Sequence, residues 1–216
     1  MAALFPRWSD SVLWLGIAVA LAAVVGLPLF LMAWVRTPYA TGQYDPVEQP
    51  VEFDHRHHVV DDGIDCRYCH DLVDRSPFAG VPPTARCMNC HSQIWNTSPL
   101  LRPVWDSYFG DRPIRWVRVH RLPDFVFFDH AAHVNKGVGC ESCHGRVDQM
   151  ASVYQVAPLT MAWCLECHRA PERFLRPVEH VTTMGWHPDR PQRELGLEIK
   201  RRYEVRELTH CTACHR

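Results

Sequence analysis

All ten cysteines of this 216-residue chain fall in five Cys-x-x-Cys-His pentads. These are Cys66–Cys69–His70, Cys87–Cys90–His91, Cys140–Cys143–His144, Cys164–Cys167–His168 and Cys211–Cys214–His215, with no cysteine left over. Two thiols three apart followed by an imidazole can hold zinc, cycle as a redox dithiol, or attach a porphyrin through thioethers with the imidazole on its iron. One pentad leaves these open. Five that use every cysteine, each ending in His, argue against zinc and against a thioredoxin-type motif. They predict five covalently bound haem c groups.

The motif then sets His70, His91, His144, His168 and His215 as proximal iron ligands. A low-spin electron-transfer haem needs a second axial ligand, usually His or Met. Two related stretches offer it. Phe53–His70 reads Phe-Asp-His-Arg-His-His-Val-Val-Asp-Asp-Gly-Ile-Asp-Cys-Arg-Tyr-Cys-His. Phe128–His144 reads Phe-Asp-His-Ala-Ala-His-Val-Asn-Lys-Gly-Val-Gly-Cys-Glu-Ser-Cys-His. They match with one inserted residue at Asp61/Asp62. His55 aligns with His130 and His58 with His133, so these four are the distal candidates. His57 aligns with Ala132 and reads as a surface residue or one that supports a neighbouring ligand. Residues three apart on a helix share a side but are rotated by roughly 60°, so each pair can serve two neighbouring irons. For the fifth centre His120 is the first candidate, with Met161 and Met184 as alternatives. His180, His187 and His210 could each ligate too, but read better as structural. No pentad is altered to leave an iron position open, so no catalytic site of its own is expected.

The elements that position these residues repeat as well. The pentads begin 21 and 24 residues apart within pairs and 53 apart between them, which argues for internal duplication. The expected organisation is an anchor (1–36), a linker (37–50), a first two-haem module (51–95), a Pro/aromatic insert (96–119), a second module (120–170) and a tail with the fifth haem (171–216). The insert suits packing over a haem face or a docking surface. In the tail, the charged stretch 190–208 reads as a solvated helix face. Seventeen prolines and eleven glycines interrupt regular structure. The expected fold is therefore mostly α and irregular, with little β and macrocycles for a core.

Residues 11–35 carry no Asp, Glu, Lys or Arg. A helix of that length spans about 37 Å, enough for a ~30 Å hydrocarbon core. It exceeds the about 7–15 apolar residues of a signal peptide, so a retained single-pass anchor is expected. Trp8, Trp14, Trp34 and Tyr39 suit interfacial belts. Ala18, Ala22 and Gly26 form a small-residue ridge, and Pro28 is a candidate kink. Haem is attached outside the cytoplasmic membrane, so the haem domain is expected on the periplasmic side of a bacterial membrane; Arg7 agrees weakly with that orientation and Arg36 disagrees weakly. The formal net charge of −1 suggests no nucleic-acid partner. Of the 23 basic residues only Lys136 and Lys200 are lysine. Arginine suits haem propionates through its two-pronged fork, though base composition would give the same excess.

Phe-x-His-x-x-His ahead of a pentad resembles the class III, small multihaem cytochrome c fold. That resemblance implies that His55 serves the Cys66 haem, that His130 serves the Cys140 haem, and that the second His of each pair reaches a different haem. The whole layout resembles something narrower. It combines one membrane helix, pentads in pair-pair-single order, the run Val119-His120-Arg121-Leu122-Pro123-Asp124-Phe125-Val126, and Ala157-Pro158-Leu159-Thr160-Met161. It is similar to the pentahaem subunit of alternative complex III, a bacterial quinol:electron-acceptor oxidoreductase. That implies an electron relay beside an iron–sulfur, molybdopterin-enzyme-like subunit and multi-span membrane subunits, delivering to a monohaem cytochrome c or a terminal oxidase. The competing reading is a membrane-anchored quinol dehydrogenase feeding a periplasmic nitrate or nitrite reductase. Those typically have four haems, so the fifth pentad favours the relay.

Overall fold

The computed structural model describes residues 5–6 and 8–215; Arg7 lies outside them. The chain divides into two units, Met1–Gly42 and Gln43–Arg216. The first contains one apolar helix, Trp8–Trp34, 27 residues long, with the length and composition to cross a membrane. It is not uniform. Ala22–Gly26 is a π-turn, followed by Leu27–Trp34 with Pro28 in its first turn. A proline has no N–H to donate and its ring crowds the carbonyl four residues back. A widened turn just ahead of Pro28 relieves that crowding. The π-turn also shifts the angular spacing of Ala22 and Gly26, so the expected ridge is not a straight α-helical one.

The second unit has no strand among the described residues, only isolated bridges at Gln43–Gln155, Val126–His215 and Val138–Leu175. Its longest helix, Gln192–Arg202, has eleven residues. Mostly helical and irregular structure was expected, and it is what the proline and glycine content dictates.

The two repeats explain their own local structure. In each, an aspartate after the phenylalanine caps the turn. Asp54 accepts from the Arg56 N–H at 2.9 Å and Asp129 from the Ala132 N–H at 3.1 Å. His130–Val134 is an ordinary α-turn. His57–Asp61 is a π-turn, closed by Asp62 N–H to the His57 carbonyl at 3.0 Å. The extra residue at Asp61/Asp62 is thus absorbed as one wide turn.

Side-chain packing is modest. One cluster joins Val51 and Met88 of the first module to Leu101 and Val104 of the insert, with Trp105, Ile114 and Trp116 around it. The insert therefore packs on the first module while Phe109 stays exposed. A second cluster holds Val73, Val134 and Val181, and a third Leu175, Leu195 and Ile199. In the third, the charged helix Gln192–Arg202 turns Leu195, Gly196 and Ile199 inward and its charges outward.

Gly196 lies against the turn Pro171–Arg173, where a Cβ would sit 1.8 Å from the Glu172 carbonyl oxygen. Gly196→Ala should gain about 1 kcal/mol of helix propensity yet lose about 1–3 kcal/mol to overpacking. The expected outcome is a lower midpoint in chemical denaturation; a raised midpoint would mean helix and turn are not in contact.

Candidate cofactor-binding site

The second unit surrounds a cavity of about 3240 Å³. Its wall includes nine of the ten cysteines, all but Cys211, and the rings of His55, His58, His70, His91, His120, His130, His133, His144 and His168. His215 is not on that wall. All ten cysteines are free thiols. Among the described residues no three His, Cys, Asp or Glu side chains converge as a bound metal ion alone would require. The donors are spread around the wall, as a large planar cofactor held at its edges needs.

The histidine rings are aimed by their backbone. Nδ1 donates to a carbonyl in six of them: His58 to Asp54 (2.9 Å), His70 to Gly80 (2.8 Å), His91 to Ile94 (3.2 Å), His130 to Pro77 (2.8 Å), His133 to Asp129 (2.6 Å) and His215 to Phe125 (3.2 Å). A carbonyl can only accept, so Nδ1 carries the proton and Nε2 keeps its lone pair for a metal. Burial pulls the His55 imidazole down to about 4, aided by His70 and His58, and His144 down to about 3, aided by His120 and His130. Burial likewise lowers His120 and His133. All four are held neutral, the form that ligates.

Ring positions follow the repeat closely. Phe53 sits 4.8 Å from His55 and 4.4 Å from His58; Phe128 sits 4.8 Å from His130 and 4.4 Å from His133. Each phenylalanine stacks on the second imidazole and meets the first edge-on, holding the pair apart. Three His–His separations recur: His58–His91 at 6.2 Å, His133–His168 at 6.1 Å and His130–His144 at 6.4 Å. Two imidazoles bound trans to one metal through bonds of about 2 Å place their ring centres about 6 Å apart. His55 lies in the field of His70. The residues present therefore fit haem.

His120 is found at the third pentad. Its ring centre is 4.3 Å from His144, too close for a metal between them, and its Nε2 is 3.3 Å from His144 Nδ1. The ring contact of His215 is with Phe125, at 5.7 Å. Met184 lines the cavity, whereas Met161 is 62% exposed. His57 also borders the cavity, with its ring largely exposed beside Asp61 and Asp62.

Sequence reasoning missed one buried group. Arg176 pairs with Glu141, inside the third pentad, at 2.6 Å, and their side chains are 8% and 16% exposed. Arg176 also donates to the Thr183 carbonyl at 3.1 Å and lies 5.1 Å over Trp186, while Glu141 accepts from the Gly185 N–H at 2.6 Å. Gly139 leaves room for the guanidinium; a Cβ there would come within 2.4 Å of it. This pair locks the backbone around Cys140, and only the glycines at 137 and 139 hinted at it.

Residues 126–216 match the family described as cytochrome c7 and related cytochrome c. The chain is also 40% identical over 102 residues to the menaquinone reductase, multiheme cytochrome c subunit, of Nitratidesulfovibrio vulgaris. That alignment covers 47% of this chain and 48% of the relative, so the match spans about half of each.

Glu141→Gln should strand a buried guanidinium and cost about 3–5 kcal/mol, seen as a lower denaturation midpoint. Replacing both partners, Glu141→Leu with Arg176→Met, should recover most of that loss. Equal loss in single and double variants would show that the ion pair is not what matters.

Proposed function

We propose that this chain is a membrane-anchored multihaem cytochrome c, carrying five haems and relaying electrons within a quinone-linked oxidoreductase complex. The observation that carries this reading is the set of three His–His separations between 6.1 and 6.4 Å, each joining a pentad histidine to a histidine of a repeated His-x-x-His pair. The ten cysteines would form the thioethers. His70, His91, His144, His168 and His215 would be proximal ligands, and His55, His58, His130 and His133 their distal partners at the first, second, third and fourth pentads. His120 is the least supported candidate for the fifth centre, because it lies against His144; Met184 is the alternative.

Bound haem supplies one-electron Fe(III)/Fe(II) chemistry. The protein's part would be to orient these imidazoles, with His55, His120, His133 and His144 held neutral by burial. Backbone carbonyls fix the Nδ1 protons of six rings, and the two phenylalanines set the ring angles within each His-x-x-His pair. Paired His ligands at the first four pentads would leave those irons no open position, so no residue there is asked to move a proton.

The relative's name places menaquinone at its complex. The layout's likeness to alternative complex III supports the finer reading: quinol as reductant, iron–sulfur and membrane-spanning partner subunits, and a cytochrome c or terminal oxidase as acceptor. The helix Trp8–Trp34 supports a single-pass anchor, with the haem modules (51–95 and 120–170) and the fifth pentad outside the cytoplasm.

Intact-mass analysis with a pyridine haemochrome assay should find five haems per chain; a mass equal to the bare polypeptide would sink the reading. His58→Ala should leave one iron five-coordinate, giving one new high-spin ferric EPR signal with haem content unchanged. No high-spin signal would remove His58 from the ligand set.

A further inference from the structure

The two repeats share more than an internal geometry: they face each other. Cys66 and Cys140 occupy equivalent positions in the two repeats and lie side by side. The segment after the first pentad meets the second His-x-x-His turn. The Pro77 carbonyl accepts from the His130 N–H at 3.2 Å, Ser76 from the Ala131 N–H at 3.2 Å, and Asp74 from the Asn135 side chain at 2.8 Å. The reverse contact is also present. The segment after the third pentad, Val147–Gln149, packs on the first His-x-x-His turn, His57–Asp61. Equivalent segments that touch in both directions point to a two-fold relation.

We propose that the two modules form an internal pseudo-dimer about an axis passing between Cys66 and Cys140. The pentads then run through space in the order second, first, third, fourth, fifth. The proposal rests on the haem-relay reading above. The remaining joints agree with it. Tyr68 of the first pentad meets Asn89 at 3.1 Å and Arg86 at 5.0 Å, both at the second. His133, from the turn that also carries His130, reaches His168 of the fourth. Cys164 of the fourth lies within electrostatic range of Cys214 of the fifth, and the Phe127 N–H, just ahead of the second repeat, donates to the Cys214 carbonyl at 2.8 Å. Of the ten cysteines, Cys90 and Cys211 are the exposed ones, and they belong to the two end pentads.

The second and fifth pentads are therefore where electrons enter and leave. At each step one iron loses one electron and the next gains it, with no bond made or broken. The reductant is the quinone-linked partner and the oxidant a one-electron carrier protein. Sequence order hides this, because the second and third pentads are consecutive in the chain but separated in space by the first.

Neighbouring low-spin ferric centres couple magnetically, so deleting one alters as many remaining EPR signals as it has neighbours. In the assembled holoprotein, C87A/C90A and C211A/C214A should each alter one signal, and C66A/C69A two. Two altered signals for C87A/C90A with one for C66A/C69A would restore the sequence order and overturn the proposal. Should a variant fail to assemble, iron–iron distances in the unaltered holoprotein decide the matter. The first and third irons are expected closer than the second and third, and the reverse overturns the order. Haem counting separates the two readings: no haem removes the relay itself, whereas five haems in another order remove only this arrangement.

Discussion

The interaction on which the rest of the second unit depends is the hydrogen bond from an imidazole Nδ1 to a backbone carbonyl. Six rings make it, at 2.6–3.2 Å. Each such bond fixes a ring's orientation and tautomer together, leaving a basic nitrogen aimed away from the chain. It also needs carbonyls that no regular helix has claimed. Gly80, Ile94, Pro77 and Phe125 lie outside helices, and Asp54 and Asp129 lie just ahead of turns. A chain built to offer so many free carbonyls at chosen points has to be short-turned and irregular. The lack of long helices here is thus a requirement of the site, beyond a consequence of the seventeen prolines.

The same logic accounts for the small side-chain core. Leu175 and Val181 are the largest fully buried side chains among the described residues. A unit running from Gln43 to Arg216 with so little packed hydrocarbon gains little from side-chain burial alone. Its rigidity comes from local bonds and from a few ion pairs such as Arg176–Glu141, which sits where the backbone must be most exact, beside Cys140. On the proposed reading the macrocycles supply the missing apolar contact.

What the sequence revealed and what it hid divide along one physical line. The pentads, the duplicated lead-in and the apolar helix are local patterns of residue type at fixed spacing, so they read directly. The insertion at Asp61/Asp62 was visible, but its consequence was not, because whether an extra residue lengthens a loop or widens a turn depends on tertiary contacts. The angle-setting role of Phe53 and Phe128 was likewise written in the repeated Phe-Asp-His, yet only ring distances show it. His120 had the right type and neighbourhood in sequence; its place against His144 depends on a fold-back that no local pattern encodes. The Arg176–Glu141 pair joins residues 35 apart and left only glycines as a trace.

Those ring distances recur outside the residues that match cytochrome c7. The cytochrome c7 match begins at residue 126 and so takes in the second repeat and three pentads, leaving the first module outside. A family pattern is sensitive to insertions, and the first repeat carries one. Its imidazoles nevertheless stand at the same 4.8 and 4.4 Å from Phe53 as their counterparts do from Phe128, with interplanar angles of 85° and 25° against 90° and 26°. A π-turn placed after His55 lets the extra residue pass without moving the rings. The ring geometry of the second repeat is therefore reproduced in the first, which lies outside residues 126–216.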